Sequence, residues 1–518
     1  MRIPSLLSAA LAAMQLHAQT APSDSLFDMD QVVEVHITFA DPNFWNTLVT
    51  YYNNDQGEEL AGSVTITDQT GTWTLDSITV ALKGNSSYTH PGNKKSFKVD
   101  FNDFIDQKFH GMRKLHFNNC WSDPTFMREK IFFDYCHEQG VRAPRVQYAN
   151  IYMNGTLWGF YNMVEAVDKE FLDRHIDDTA GNLFKAADNF GMGGGGGGST
   201  AEADLKWYGT AQTDYYDRYE LKTNESANDW TDLLDLLDML NNAPDTYLQA
   251  NFPARWKWRD MLRSLALDNM FGNLDSYIHS ARNYYLYHDS TDLEWHWIHW
   301  DANMAFGSYP AQGQNAQTLS PTYVATNRPL MTRLMAVQAF RLDYLNEYCY
   351  AKANFSNTYL DPRIDSIATL IQPHVAADPN KQYTLAQFTA NIAGDITVAG
   401  GGGGGGGGGM QTIRGLKSFI LARNNSLAGT LDCSAVGVQE LASADDLRVY
   451  PSPASDALTV LLPAGSAMSD IRIVDVMGRT VPVRINGRDV DVSGLAPGMY
   501  VLMVPDGAIL RSVRFERQ

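Results

Sequence analysis

The sequence predicts an α+β protein in three parts: an antiparallel sheet, a mostly helical stretch, and a small all-β module. Three observations carry this. Residues 31–101 alternate apolar and polar side chains in short runs broken by Gly and Asp, the period-two pattern of half-buried strands. From residue 228 to about 280, and again over 328–375 and 411–430, the apolar spacing is helical, as in "WTDLLDLLDMLNN". After Cys433 the text returns to short strands with Gly and Pro turns.

Composition narrows the class. A chain of 518 residues allows about two to four domains, and 44% hydrophobic residues can build a sizeable core. A net charge of -19 argues against a nucleic-acid binder, which needs a basic patch. The first residues, "MRIPSLLSAALAAMQLHAQT", hold one Arg, a short apolar run and a small Ala18. They predict a signal peptide over 1–18. Its apolar part is too short to span a membrane, and no other run of about 18 apolar residues occurs. The expected mature protein is therefore exported, with no transmembrane segment. Four cysteines (120, 136, 349 and 433) show no zinc-type spacing. Cys120 and Cys136 could pair if the chain folds back, or remain buried thiols.

The elements follow in order. "VVEVHITF", "GSVTITD", "GTWTLDSITVALKG" and "KKSFKVDF" read as strands of one sheet. "DPTFMREKIFFDYCHEQG" reads as a helix, with Asp123 as N-cap, Pro124 in the first helical position and Gly140 closing it. "RVQYANIYMNGTLWGFYNMVE" reads as a hairpin turning at Asn154-Gly155. Glycine tracts at 191–200 and 400–409 lack the fixed offsets of a phosphate loop and are expected to be flexible surface insertions. A linker over 431–446 precedes the last module, 447–518.

That module resembles the type IX secretion sorting domain. The residues that carry the likeness are "VYPSPASD" (449–456), "DVMGR" (475–479) and "LAPGMYVLMV" (495–504). Ser452 stands where the usual motif has Asn. The resemblance implies the type IX secretion machinery as a partner and a secreted or cell-surface location.

Residues 31–430 resemble the CotH kinase family. Four stretches carry this: "LKGNSSYTHPGNKKSFKVDF", "NNCWSDPTFMREKIFFDY", "IYMNGTLWGFYNMVEAVD", and "LDSYIHSARNYYLY" followed by "WIHWDANMAFG". The resemblance implies an atypical kinase-like fold of two lobes. It also implies ATP and Mg²⁺ (or Mn²⁺), with a secreted or surface protein as acceptor through Ser or Thr.

Phosphoryl transfer needs positioned phosphates, oxygen ligands for the metal, and a base. Gly84, Asn85, Ser86 and Ser87 lie in a predicted loop between strands, where amides and hydroxyls can face phosphate. By the resemblance Lys98 is the candidate phosphate-binding lysine, with Lys95 its competitor, and Glu165 would pair with it. By the resemblance, too, Asp275 is the candidate catalytic base and Asn283 a metal ligand. They are eight residues apart, against five in an ordinary kinase loop. Asp301 takes the place of the metal-binding Asp of the D-F-G motif.

The register of the predicted hairpin "NYYLYHD…EWHWIHWD" bears on this pair. Alternation groups Trp295, Trp297, His299 and Asp301 on one face. A four-residue loop, 290–293, would pair Asn283 with Trp300 and put Asn283 on the other face. An odd-length loop or a bulge would put it with Asp301. Arg282 is the alternative partner for Asp301. His296 and His299 fall on opposite faces, so a shared zinc is not expected. Family members commonly read "WDLD", and Asn303 replaces the second Asp here. A non-catalytic surface protein, or ATP-dependent transfer of another group, therefore stands beside the kinase reading.

Overall fold

The computed structural model describes residues 23–187, 201–399, 410–433 and much of 448–518. Positions 29, 55, 90–91, 312, 451–453, 463–467, 469–470, 476–479 and 507–508 are excepted. The expected signal peptide, both glycine tracts and most of the linker lie outside the described residues. The chain divides into two compact units between Asp432 and Cys433.

The first unit opens with α1 (Asp24–Asp28), β1 (Val32–Thr38) and α2 (Phe44–Asn54). Then come β2 (Leu60–Asp68), β3 (Gly71–Lys83), β4 (Ser96–Asp100), β5 (Lys114–Asn118), α3 (Arg128–Glu138), β6 (Val146–Met153) and β7 (Thr156–Glu165). The seven strands close into a barrel ordered β1-β2-β3-β4-β5-β7-β6. Closure comes from a parallel pairing of β1 with β6, so the expected antiparallel sheet becomes a barrel with one parallel seam. Closing a sheet removes its unpaired edges. Alternation works as read from the sequence. Val33, Val35, Ile37, Val80, Leu82, Phe97, Val99 and Phe117 fill the barrel. The β6–β7 hairpin turns at Asn154 (φ 46°) and Gly155 (φ 79°), as the Asn-Gly pair demands.

Helix α3 begins four residues later than expected. Asp123 does not occupy its N-cap position, which is Met127. Instead the buried Asp123 carboxylate reaches across the intervening turn. It accepts the Arg128 N–H at 2.9 Å and the Thr125 N–H at 2.9 Å. A carboxylate so placed still satisfies a donor that the helix leaves open.

The rest of the unit is mostly helical. It comprises α4 (Lys169–His175), β8 (Asn182–Ala186), β9 (Tyr219–Leu221), α5 (Thr231–Asn242), α6 (Asp245–Asn251), α7 (Trp258–Met270), α8 (Tyr277–Ser280), β10 (Tyr284–His288) and β11 (Trp295–His299). It ends with α9 (Pro329–Ala336), α10 (Gln338–Lys352), α11 (Asn357–Ala377), α12 (Leu385–Ala393), β12 (Ile396–Ala399), β13 (Met410–Ile413) and α13 (Leu416–Thr430). Strands β11-β10-β8-β9 form a second sheet. The helices share a second large core that includes Trp256, Trp295, Trp297 and Phe306. Val164 and Phe160, on the outer face of the barrel, join that core. Cys120 and Cys136 are buried free thiols.

The second unit has two four-stranded sheets, over strands running from Arg448–Tyr450 to Ile509–Arg517. It has its own core of Leu458, Val460, Ile473, Val490, Leu502 and Phe515. This is the all-β module expected. Among the described residues no helix is long and apolar enough to cross a membrane.

Candidate functional site

The outer face of the barrel is polar where it meets the helical part. Strand pairing sets Lys83 opposite Ser96, Lys98 opposite Ala81 and His116, and Asn118 opposite Asn162. All these outward positions alternate with barrel-core residues. Two lysines therefore share this face, at different heights.

Lys98, expected to bind phosphate, pairs with Glu59 at 2.6 Å near the surface. Glu165, expected to pair with it, stands opposite Leu115, whose side chain lies in the barrel core. Lys98 and Glu165 thus project from opposite faces of the sheet, so the expected pair is corrected. Glu165 is instead held by Arg145, whose Nη2 and Nε donate to it at 2.8 and 3.1 Å. Arg174 and His175 add to it. These partners hold its pKa down at about 2 despite burial. Asp24 of α1 joins the same network at 3.0 Å from Arg145, which ties the N-terminal segment to the barrel. Lys95, the competitor, donates to the Tyr88 carbonyl at 2.5 Å.

The lysine that meets acids of the helical part is Lys83, the last residue of β3. It is partly buried, with its ammonium over the Trp300 ring at 5.4 Å. Burial draws its pKa down to about 8, against the pull of Asp301 and Glu129. Glu129, in the first turn of α3, is buried and accepts both oxygens' bonds from Asn118 Nδ2, at 3.2 and 3.0 Å. Burial, then the charge of Asp301, raises it to about 7, while Asn118, Lys83 and Asn162 oppose the rise. Strand lysine, helix glutamate and Asp301 thus lie within electrostatic reach of one another. Sequence reasoning missed Lys83 and Glu129, although residues 80–83 read V-A-L-K, close to the V-A-I-K strand of kinases.

Gly84 to Ser87 follow Lys83 directly. Gly84 has φ 100°, and a Cβ there would meet Ser87 Oγ at 2.1 Å, so the turn requires glycine. Its carbonyl accepts from Tyr52 at 2.5 Å. Residues 86–89 form a short 3-10 turn. Asn85 and Ser86 are exposed and Ser87 is partly buried.

Asp275 lies in the loop between α7 and α8. Asn283 Nδ2 donates to its backbone carbonyl at 2.7 Å and to its Oδ2 at 3.2 Å. Both bonds use Nδ2, so neither occupies the Asn283 Oδ1. Arg282 Nε lies 3.8 Å from Asp275 Oδ1. The hairpin has the even register: Tyr284 pairs with His299, and Trp300 N–H bonds the Asn283 carbonyl at 3.1 Å. That register was the one expected to separate Asn283 from Asp301. However, both residues lie just beyond the paired strands, with φ of 61° and 48°. There the alternation that separates faces no longer holds. As expected, Trp295 and Trp297 pack in the helical core and His296 and Ile298 face the other way. Asn303 donates to the Trp121 carbonyl at 3.3 Å.

The donor set suits a hard cation. Asp301 and Glu129 both pull on the Lys83 ammonium, and burial, then the Asp301 charge, raises the Glu129 pKa. The Asn283 amide and the Asp275 carboxylate lie together just before β10. Oxygen-only donors of this kind fit magnesium or manganese.

Comparison with known proteins agrees with the layout. A family model for CotH kinase protein matches residues 80–427, and one for a secretion system C-terminal sorting domain matches 448–514. The inner spore coat protein H of Bacillus subtilis (strain 168) is 28% identical over 319 residues, 60% of this chain and 81% of that protein. Among solved structures, the twitchin kinase region from C. elegans covers 89% of this chain and 88% of its own, at 9% identity. Its TM-score of 0.18 is too low to bear on the fold.

Proposed function

Because the chain belongs to the CotH kinase protein family and ends in a secretion sorting domain, we propose that it is an exported, metal-dependent phosphotransferase. It would use ATP and act on Ser or Thr of secreted or surface proteins. The sorting domain indicates a secreted or cell-surface protein using type IX secretion. One observation carries the enzymatic reading: Lys83, Glu129 and Asp301 converge from a barrel strand, a helix and a hairpin end. That trio matches the lysine, glutamate and metal-binding aspartate that a kinase must bring together.

The roles follow from position. Lys83 holds phosphate oxygens, and Glu129 orients Lys83. Gly84 to Ser87 offer amides and hydroxyls beside it. Asp301 and the Asn283 Oδ1 would hold magnesium or manganese, which offsets phosphate charge when bound. Asp275 accepts the proton of the acceptor hydroxyl as its oxygen attacks the γ-phosphorus. The bond to the β-phosphate oxygen breaks and ADP leaves. Asn283, bonded to Asp275, keeps that carboxylate in place.

A second reading has one observation in its favour. Asn303 stands in place of a second Asp, and its amide supports the Trp121 loop. Nucleotide binding without transfer would fit that loss of charge. The deciding experiment incubates purified protein with γ-labelled ATP, Mg²⁺ or Mn²⁺ and a generic protein acceptor. Label on Ser or Thr that is lost in Asp275→Asn supports transfer. Binding of ATP with no label in acceptor or protein overturns it. Mass spectrometry of the acceptor distinguishes phosphate from a larger transferred group.

A further inference from the structure

The turn of the β10–β11 hairpin lies at the end away from Asp301, and it gathers a second set of donors. A ring nitrogen of His296 and carboxylate oxygens of Asp289 and Asp292 all lie within 4.8 Å of one another. His296 is 1% exposed and Asp289 5% exposed, while Asp292 is on the surface.

The turn itself builds this arrangement. Asp289 Oδ1 accepts the N–H groups of Thr291 at 2.7 Å and Asp292 at 3.3 Å. That fixes the carboxylate and leaves Oδ2 3.4 Å from His296 Nε2, too long for a good N–H···O bond. Neither ring nitrogen of His296 makes a hydrogen bond, although the ring is buried. Leaving a buried polar group in that state is unfavourable. An imidazole nitrogen aimed at two carboxylates without bonding either is what a shared cation would complete.

We propose that this turn binds one divalent cation through His296, Asp289 and Asp292, with water completing the shell. The mixed imidazole and carboxylate set fits zinc, whose ligands sit at roughly 2.0–2.2 Å in tetrahedral sites. Magnesium and calcium prefer all-oxygen sets. Binding needs the three ligand atoms to draw together, so Asp292 must release Lys257 and the Glu294 N–H that its Oδ1 accepts at 3.1 Å. Lys257 now bridges Asp292 and Glu294, and Glu294 keeps Lys257 neutralised when Asp292 turns inward. The site is separate from the one around Asp301. His296 lies near the start of β11, and Asp301 lies two residues beyond its end. Zinc here would brace the turn of the hairpin whose other end presents Asp301.

The test is independent of nucleotide and of any transfer activity. The full chain carrying Asp301→Asn is titrated with zinc chloride by calorimetry, without nucleotide, and its melting temperature is followed. One equivalent of zinc and a rise in melting temperature are expected. Adding His296→Gln abolishes both. Adding Asp292→Ala weakens binding by about tenfold or more, and this surface change leaves the fold intact even where the buried one does not. Absence of zinc binding, or equal affinity in the Asp292→Ala protein, overturns the proposal.

Discussion

Asn118 donates to both carboxylate oxygens of Glu129, at 3.2 and 3.0 Å, and so joins strand β5 of the barrel to the first turn of α3. This contact sets the glutamate beside Lys83. Replacing Asn118 by Ala leaves the buried carboxylate less solvated, at a cost of about 1–3 kcal/mol. It also raises the Glu129 pKa further and weakens nucleotide binding at neutral pH. Asn118→Asp, which sets two carboxylates together, weakens it more. Thermal melting and ATP titration of the two variants check the order.

Lys83 and Lys98 separate two accounts of the site. Lys83→Ala is expected to reduce transfer about 10²–10³-fold, the usual loss for one preorganised charge-stabilising group. Lys98→Ala removes only a part-exposed pair with Glu59, worth about 0–1 kcal/mol, and leaves transfer within a few-fold of wild type. Steady-state rates at saturating ATP measure both.

The lowered Lys83 pKa makes the site sensitive to alkali. The lysine loses its charge as pH rises through about 8, well below the usual lysine range. The kcat/KM for ATP, which reports free-enzyme ionisations, should therefore fall on the alkaline side from about pH 8. Lys83→Arg moves that limb upward, because arginine stays charged. A wild-type limb starting at the ordinary lysine range would contradict the burial of Lys83.

Glu165 has a different role, testable by stability alone. Its folded pKa, about 2, lies below its unfolded value near 4.3. Its contribution, about 3 kcal/mol, is therefore fully present above the unfolded pKa and is lost as pH falls from about 4.5 towards 2. Glu165→Gln should lower the melting temperature at pH 7, and the gap to wild type should shrink across that acid window. Catalytic rate per folded molecule should not change. A rate loss without a melting shift would return Glu165 to the active site.

Much of the fold was legible because it is local. Period-two strands, the Asn154-Gly155 hairpin and the helical spacing of 231–242 depend on near neighbours. Barrel closure was not legible, since the β1–β6 pairing joins residues more than a hundred positions apart. The site divides the same way. Asp275, Asn283, Asp301 and the Gly84 loop lie on local motifs. The proposed lysine and glutamate depend on register across four strands. Lys83 and Lys98 share one outer face, and only the β3–β4 pairing tells which of them ends a strand beside the helical part. Glu165 was expected as the partner, and Glu129 was missed. Only the pairing of Glu165 with Leu115 shows that it points to the far side of the sheet. Asp123 was recognised as a helix-start acid, but a turn held by its own carboxylate displaced the helix from it.

The central claim is that Lys83, Glu129 and Asp301 form a nucleotide–metal site. Its most direct measurement is equilibrium binding of ATP with Mn²⁺ to the wild-type chain and to Lys83→Ala, Asp301→Ala and Lys98→Ala. Manganese-dependent binding that is lost in the first two variants and kept in Lys98→Ala is the predicted result. Binding that survives loss of Lys83 and Asp301, or none in the wild type, would contradict it.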